Sequence, residues 1–229
     1  MKRLLVGLLF VCLAAPLAFA QPGPGPAPTS TPDGLPVRYD WQGNHKKAQA
    51  ALAARDYKTA IILFTEILDW HARTGRLPKP WIAPTYYFRG KAYRSSRQFE
   101  KAVADYIAAT QADPKMDPAF YELGATYVAM NQYQKAIGAF SIAIAIRGDK
   151  GDYFYGRCLC NANLGALKSA ISDCESATRL KRNAEWLAVL GRLYEDSGQK
   201  QKAIETYKAA LAINPNEPTA LEGLKQLSK

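Results

Sequence analysis

The sequence predicts an all-α chain, a solenoid of five antiparallel helix hairpins closed by a short C-terminal helix. Three observations point there. Similar segments recur from Trp41 onward, and their corresponding alanines, Ala60, Ala102, Ala136, Ala170 and Ala203, step by 42, 34, 34 and 33 residues. In the clearest copies a glycine (Gly90, Gly124, Gly191) is followed after three residues by a tyrosine (Tyr93, Tyr127, Tyr194) and after twelve by one of those alanines. Four residues further comes an aromatic (Tyr106, Phe140, Tyr207), then a second alanine (Ala109, Ala143, Ala210), a spacing that places apolar residues on helix faces and not on strands. Short polar turns at Ser95-Ser96-Arg97, Asn131-Gln132 and Ser197-Gly198 divide each copy in two, and Pro114, Gly148 and Pro215 close it. An apolar fraction of 48% in 229 residues excludes a disordered chain, and the formal charge of +10 suggests an acidic partner.

The N-terminal elements lie outside this pattern. Lys2 and Arg3 precede an apolar run from Leu4 to Leu17, and Ala18-Phe19-Ala20 supplies the small residues of a signal-peptidase site. Residues 1–20 are therefore expected to be a signal peptide cut after Ala20, which places the mature protein in the periplasm or outside the cell. Gly7 and Pro16 interrupt the run, which argues against a retained membrane span. Without Lys2 and Arg3 the chain keeps 28 basic and 20 acidic residues, a charge of +8. Residues 21–40 form a Pro/Gly-rich linker with prolines at 22, 24, 26, 28, 32 and 36, an extended spacer or, less simply, a docking peptide.

The repeats follow in order. Residues 41–74 form a weak first copy with Ala48, Ala60 and Phe64, and the eight extra residues of the long step fall in an insertion, expected as a loop over 75–82. Around it Trp70, His71, Arg73, Arg76, Lys79 and Trp81 combine aromatic and cationic groups, the residue types that dominate binding hot spots. Either this is a contact surface or the two tryptophans fold back on the first hairpin. Repeats two and three occupy 83–116 and 117–150, a variant fourth 151–183, and a fifth 184–217. Residues 218–229, with Pro218, Leu221, Leu224 and Leu227, read as a helix that covers the last apolar face. Glycine in a helix interior costs about 1 kcal/mol against alanine. Its recurrence at 90, 124 and 191 implies that a neighbouring helix comes too close for a side chain.

This period and its small/aromatic/alanine pattern resemble the tetratricopeptide repeat (TPR), as found in secreted or periplasmic bacterial members of that family. The resemblance implies a right-handed solenoid whose first helices line a concave groove. On those helices the exposed spacing presents Tyr87, Lys91 and Arg94, then Tyr121, Ala125 and Val128, then Tyr155, Leu159 and Ala162, then Ala188, Arg192 and Glu195. Tyr87, Tyr121 and Tyr155, 34 residues apart, form a ladder that either binds an extended ligand or serves packing. The family's carboxylate clamp asks for Lys, Asn, Asn, Lys and Arg. The corresponding positions hold His45, Gln49, Phe88, Pro118 and Glu122, so a chaperone-tail partner is not implied.

In the fourth repeat Cys158 stands at the glycine position and Cys174 at the aromatic one, which face each other in an antiparallel hairpin. They form either a disulfide or a pair of small buried thiols. Only two histidines occur, and the sequence lacks the metal, nucleophile and phosphate-loop motifs of common enzymes, so no catalysis and no cofactor are expected. The expected function is a non-catalytic scaffold or adaptor that binds a segment of another cell-envelope protein in its groove. The alternative is a module for cell-wall glycan or anionic lipid headgroups, since residues 41–116 carry 13 basic and 6 acidic groups while 117–229 carry 14 and 12. Neither a nucleic-acid partner nor a membrane span in the mature chain is expected.

Overall fold

A computed structural model describes residues 39–228. The expected signal peptide and most of the linker lie outside the described residues. Eleven helices follow one another among those described: α1 (Trp41–Ala53), α2 (Tyr57–Thr74), α3 (Lys79–Ser95), α4 (Phe99–Ala112), α5 (Asp117–Ala129), α6 (Tyr133–Ile146), α7 (Gly151–Asn163), α8 (Leu167–Leu180), α9 (Ala184–Asp196), α10 (Lys200–Ile213) and α11 (Pro218–Leu227). No strand occurs among the described residues. The first ten helices pair as five antiparallel hairpins, and α11 packs on α9 and α10.

Each hairpin turns through one residue in the left-handed region. These are Arg55, Arg97 and Asn131 with φ near +60°, then Gly165 at +72° and Gly198 at +76°. The next residue closes the turn by donating its backbone N–H to the helix just left, as Gln98 does to the Tyr93 carbonyl and Gln199 to the Tyr194 carbonyl, both at 2.8 Å. One turn geometry therefore recurs on five different sequences. A left-handed conformation costs a side-chain-bearing residue about 1–2 kcal/mol. The recurrence at both arginines shows that hairpin packing outweighs that cost.

The glycines of the first helices stand where an aromatic ring of the second helix presses. A Cβ on Gly90 would lie 2.9 Å from the Tyr106 ring, on Gly124 2.8 Å from Phe140, and on Gly191 2.6 Å from Tyr207. The rings of Tyr106, Phe140 and Tyr207 are almost wholly buried, as are Ala102, Ala136 and Ala203, which let the helices close. Tyr207 also fills the space beside Gly223 of α11, where a Cβ would overlap its ring. The C-terminal helix is therefore fitted to the last ring. Glu217 caps it, its carboxylate accepting the Ala220 N–H at 2.6 Å.

The fourth hairpin replaces the ring-on-glycine contact with a covalent one. Cys158 and Cys174 are joined by a disulfide with their Cα atoms 5.4 Å apart. Cys160 is a buried free thiol, and burial pushes its pKa up to about 11, which keeps it protonated and unreactive.

A second device recurs in alternate repeats. The Arg89 guanidinium of α3 donates two bonds to Asp105 of α4, at 2.8 and 2.7 Å, and one to the Thr65 hydroxyl of α2 at 3.2 Å. Two repeats later Arg157 of α7 binds Asp173 of α8 at 2.9 and 2.6 Å and the Ser141 hydroxyl of α6 at 3.0 Å, and Asn161 adds a bond to Asp173. Each guanidinium ties its own hairpin to the one before. The matching positions in repeats three and five are Leu123 with Ala139 and Leu190 with Thr206.

The region expected as an insertion loop over 75–82 is a loop only in its first half, and residues 79–82 are helical. α2 runs to Thr74 and α3 starts at Lys79, 18 and 17 residues long, whereas the other helices of the hairpins have 13 or 14. The extra residues lengthen two helices and leave only Gly75 to Pro78 as a connection. Gly75, with φ +66°, ends α2, and Pro78 and Pro80 suit the opening of α3.

Candidate functional site

The first helices α5, α7 and α9 line an open pocket of about 380 Å³. Its floor is apolar, made by Ala125 and Val128 of α5, Leu159 of α7 and the edge of the buried Phe140 ring. Gly156 creates the depression: its counterparts in the other full repeats are Phe88, Glu122 and Val189, each carrying a side chain. A Cβ at Gly156 would itself lie 2.7 Å from Phe140. Aromatic walls stand on either side. Tyr121 stacks on Tyr153 with ring centroids 5.1 Å apart, and Tyr155 stacks on Trp186 at 4.9 Å. In both pairs a groove tyrosine rests on the aromatic in the first turn of the next first helix.

Hydrogen bonds hold these walls. The Tyr155 hydroxyl donates to Glu185 at 3.3 Å and the Tyr153 hydroxyl to Asp117 at 2.5 Å. Burial, followed by the charge of nearby carboxylates, raises the pKa of Tyr121 and of Tyr155. Both phenols are therefore neutral at physiological pH. Arg94 and Asp152 form the charged rim, and Arg94 is bound to Glu122 at 3.0 Å.

Of the six groove residues expected from the sequence, Arg94, Tyr121 and Tyr155 meet in this pocket. Lys91 lies in a neighbouring depression of about 420 Å³ between α1 and α3, with Gln49, Leu52 and Arg55. Arg192 lies in a third, of about 410 Å³, with Glu195, Asp196 and Glu222 at the α9–α11 end. Tyr87 lines none of these three depressions. It packs on Phe88 and Tyr106, with the Lys91 ammonium 5.6 Å above its ring, and its pKa is pushed up to about 12 by burial and the Glu122 charge. Ala188, expected to face the groove, is buried in the hydrophobic core of the last hairpins. Asp152, Gly156, Phe140 and Trp186 were not anticipated. Asp152 lies one helical turn before Tyr155, so the i−3 spacing on α7 carried the signal.

The aromatic residues around the lengthened helices do not share one loop. Trp70, His71 and Arg73 belong to α2, Lys79 and Trp81 to α3, and only Arg76 to the connection. Trp81 folds back on the first hairpin. Its ring meets Trp41 at 5.3 Å and His45 at 5.0 Å while 40% of it remains exposed. His45 is enclosed by Trp81, Phe64 and Phe88, and its Nε2 has no hydrogen-bond partner among the described residues.

Burial lowers the pKa of His45 below its ordinary 6.5. The folded protein resists protonating it, so its contribution to stability is complete above pH 6.5 and is lost as pH falls below that value. Urea unfolding between pH 5 and 7.5 is expected to show this loss, and His45→Phe to flatten the profile over that range. An unchanged profile in the variant would rule His45 out as its source.

Among the described residues no helix is long and apolar enough to cross a membrane. Profiles described as tetratricopeptide repeat match residues 83–116, 121–184 and 184–217. Among curated proteins the chain is 31% identical over 87 residues to the photosystem I assembly protein Ycf3 of Synechococcus sp. (strain CC9605), covering 36% of this chain and 50% of that one. It is 29% identical over 87 residues to the protein of the same name in Synechococcus sp. (strain CC9311), again covering 36% and 50%. The chain thus spans about half the length of the curated relatives it matches. Among solved structures it is similar to YrrB, described as a TPR protein with an unusual peptide-binding site, with TM-score 0.69 and 21% identity over 81% of this chain and 92% of that one. MamA from Desulfovibrio magneticus RS-1 aligns with TM-score 0.68 and 16% identity, over 79% and 98%. These structures share the fold of stacked helix hairpins, and the matched profiles together cover most of residues 83–217: the chain belongs to the tetratricopeptide repeat family.

Proposed function

We propose that this protein is a non-catalytic scaffold of the cell envelope that binds a peptide segment of a partner protein across α5, α7 and α9. The observation that carries this reading is the pocket itself: an apolar floor opened by Gly156, walled by two stacked aromatic pairs and rimmed by Arg94 and Asp152. Such a site takes one large apolar side chain and offers polar groups to the flanking backbone. The peptide-binding site ascribed to YrrB and the assembly role in the name of the Ycf3 relatives are in keeping with it. The envelope location rests on the signal-like residues 1–20, and N-terminal sequencing of the exported protein tests the cut after Ala20.

Peptide display against the protein tests the groove. Leu159→Lys, which puts a charge on the pocket floor, is expected to weaken selected peptides about tenfold or more. Ile142→Lys on the exposed face of α6, where Ile142 is 46% exposed, is expected to leave them unchanged. Equal loss in both variants, or none in Leu159→Lys, would move the binding site elsewhere.

A further inference from the structure

Resting on the groove reading above, we infer that the preferred partner segment is bipolar: acidic at the end held by α1 and α3, apolar in the middle, and basic at the end held by α9 and α11. The first depression presents Arg55 and Lys91 and no carboxylate. Neither cation forms an ion pair with a carboxylate among the described residues. The third presents Glu195, Asp196 and Glu222 against Arg192, and with Lys225, which meets Glu222 at 3.9 Å beside it, three carboxylates face two cations. The middle pocket keeps its own charges apart from these, because Arg94 is paired with Glu122. The groove therefore changes sign along its length around an apolar centre.

The separation makes the two ends independent readers. Four spacings between successive first helices, at about 10 Å each, put them about 40 Å apart. That exceeds the screening length of about 8 Å at physiological ionic strength several-fold. Each end acts only on the ligand charge that lies against it, so a uniformly acidic segment gains at one end and is repelled at the other. The overall positive charge of the chain would favour such an acidic segment without regard to position, which makes the comparison decisive.

The test uses the intact chain and labelled peptides of about twelve residues, the extended length that spans the groove. Each has a central Phe or Leu, and the flanks are acidic and basic, both acidic, both basic, or neutral. Fluorescence polarisation at physiological salt is expected to rank the bipolar peptide about tenfold tighter than either single-sign peptide, the combined effect of several partly exposed pairs. The double variant Arg55→Glu, Lys91→Glu is expected to transfer that preference to the basic peptide. Equal affinities, or a preference for the acidic peptide, overturn the sign rule while the groove reading stands. If no peptide binds, the neutral one included, the groove reading fails with it.

Discussion

Replacing Asp105 with alanine is expected to lower the free energy of unfolding by about 3–5 kcal/mol, because it leaves the Arg89 guanidinium enclosed without its carboxylate. The side chains of Arg89 and Asp105 are 16% and 5% exposed, so water does not replace the lost partner. The pair as a whole is worth far less than that loss. Removing both charges as Arg89→Leu, Asp105→Ala reproduces the residues that repeat three already holds, Leu123 and Ala139, and is expected to recover all but about 1–2 kcal/mol. Urea titrations of the two variants read the difference directly. A double variant as unstable as the single one would mean that the clamp contributes net stability and not only register between hairpins. The same comparison applies to Asp173, whose removal also strands Asn161.

Reducing the Cys158–Cys174 disulfide is expected to cost about 3 kcal/mol, since it frees a loop of 16 residues in the unfolded chain. The fourth hairpin has no other filling for this place, because neither thiol can occupy the volume of the ring found in its neighbours. Cys158→Gly with Cys174→Phe restores the glycine and ring of the other repeats, and is expected to regain much of the stability and to lose all sensitivity to reductant. Urea midpoints with and without reductant, together with thiol counting in the native oxidised protein, check both expectations. Alkylation of Cys158 and Cys174 without reductant would overturn the covalent account.

The hairpins could be read from the sequence because the constraints on them are local and repeated. A glycine three residues before a tyrosine and twelve before an alanine leaves few alternatives to two close-packed helices, and the ring opposite each glycine follows from the same register. Cys158 and Cys174 were visible as a departure at two facing positions of that pattern. The lengthened α2 and α3 were not, since Gly75, Pro78 and Pro80 suggest a loop, while Pro80 in fact opens a helix that extends beyond the usual length.

The site was only half visible. Helical spacing from the glycines placed Tyr121, Ala125, Val128, Tyr155 and Leu159 on one face, yet Trp186 enters from the next repeat and Gly156 acts by lacking a side chain. Neither is apparent without knowing which helices touch. The Arg–Asp clamps were missed for a related reason. A charged pair sixteen residues apart reads as two surface groups until the hairpin brings them together under the preceding repeat.

Site-specific photo-crosslinking in cells puts the groove itself to the test. Benzoylphenylalanine is placed in turn at Val128 in the central pocket, at Trp81 beside the first hairpin and at Ile142 on the exposed face of α6. One discrete partner is expected to be captured at Val128 and lost when Leu159→Lys is added, with no capture at Ile142. Capture of that partner from Trp81 or Ile142 with none from Val128 would contradict binding in the groove.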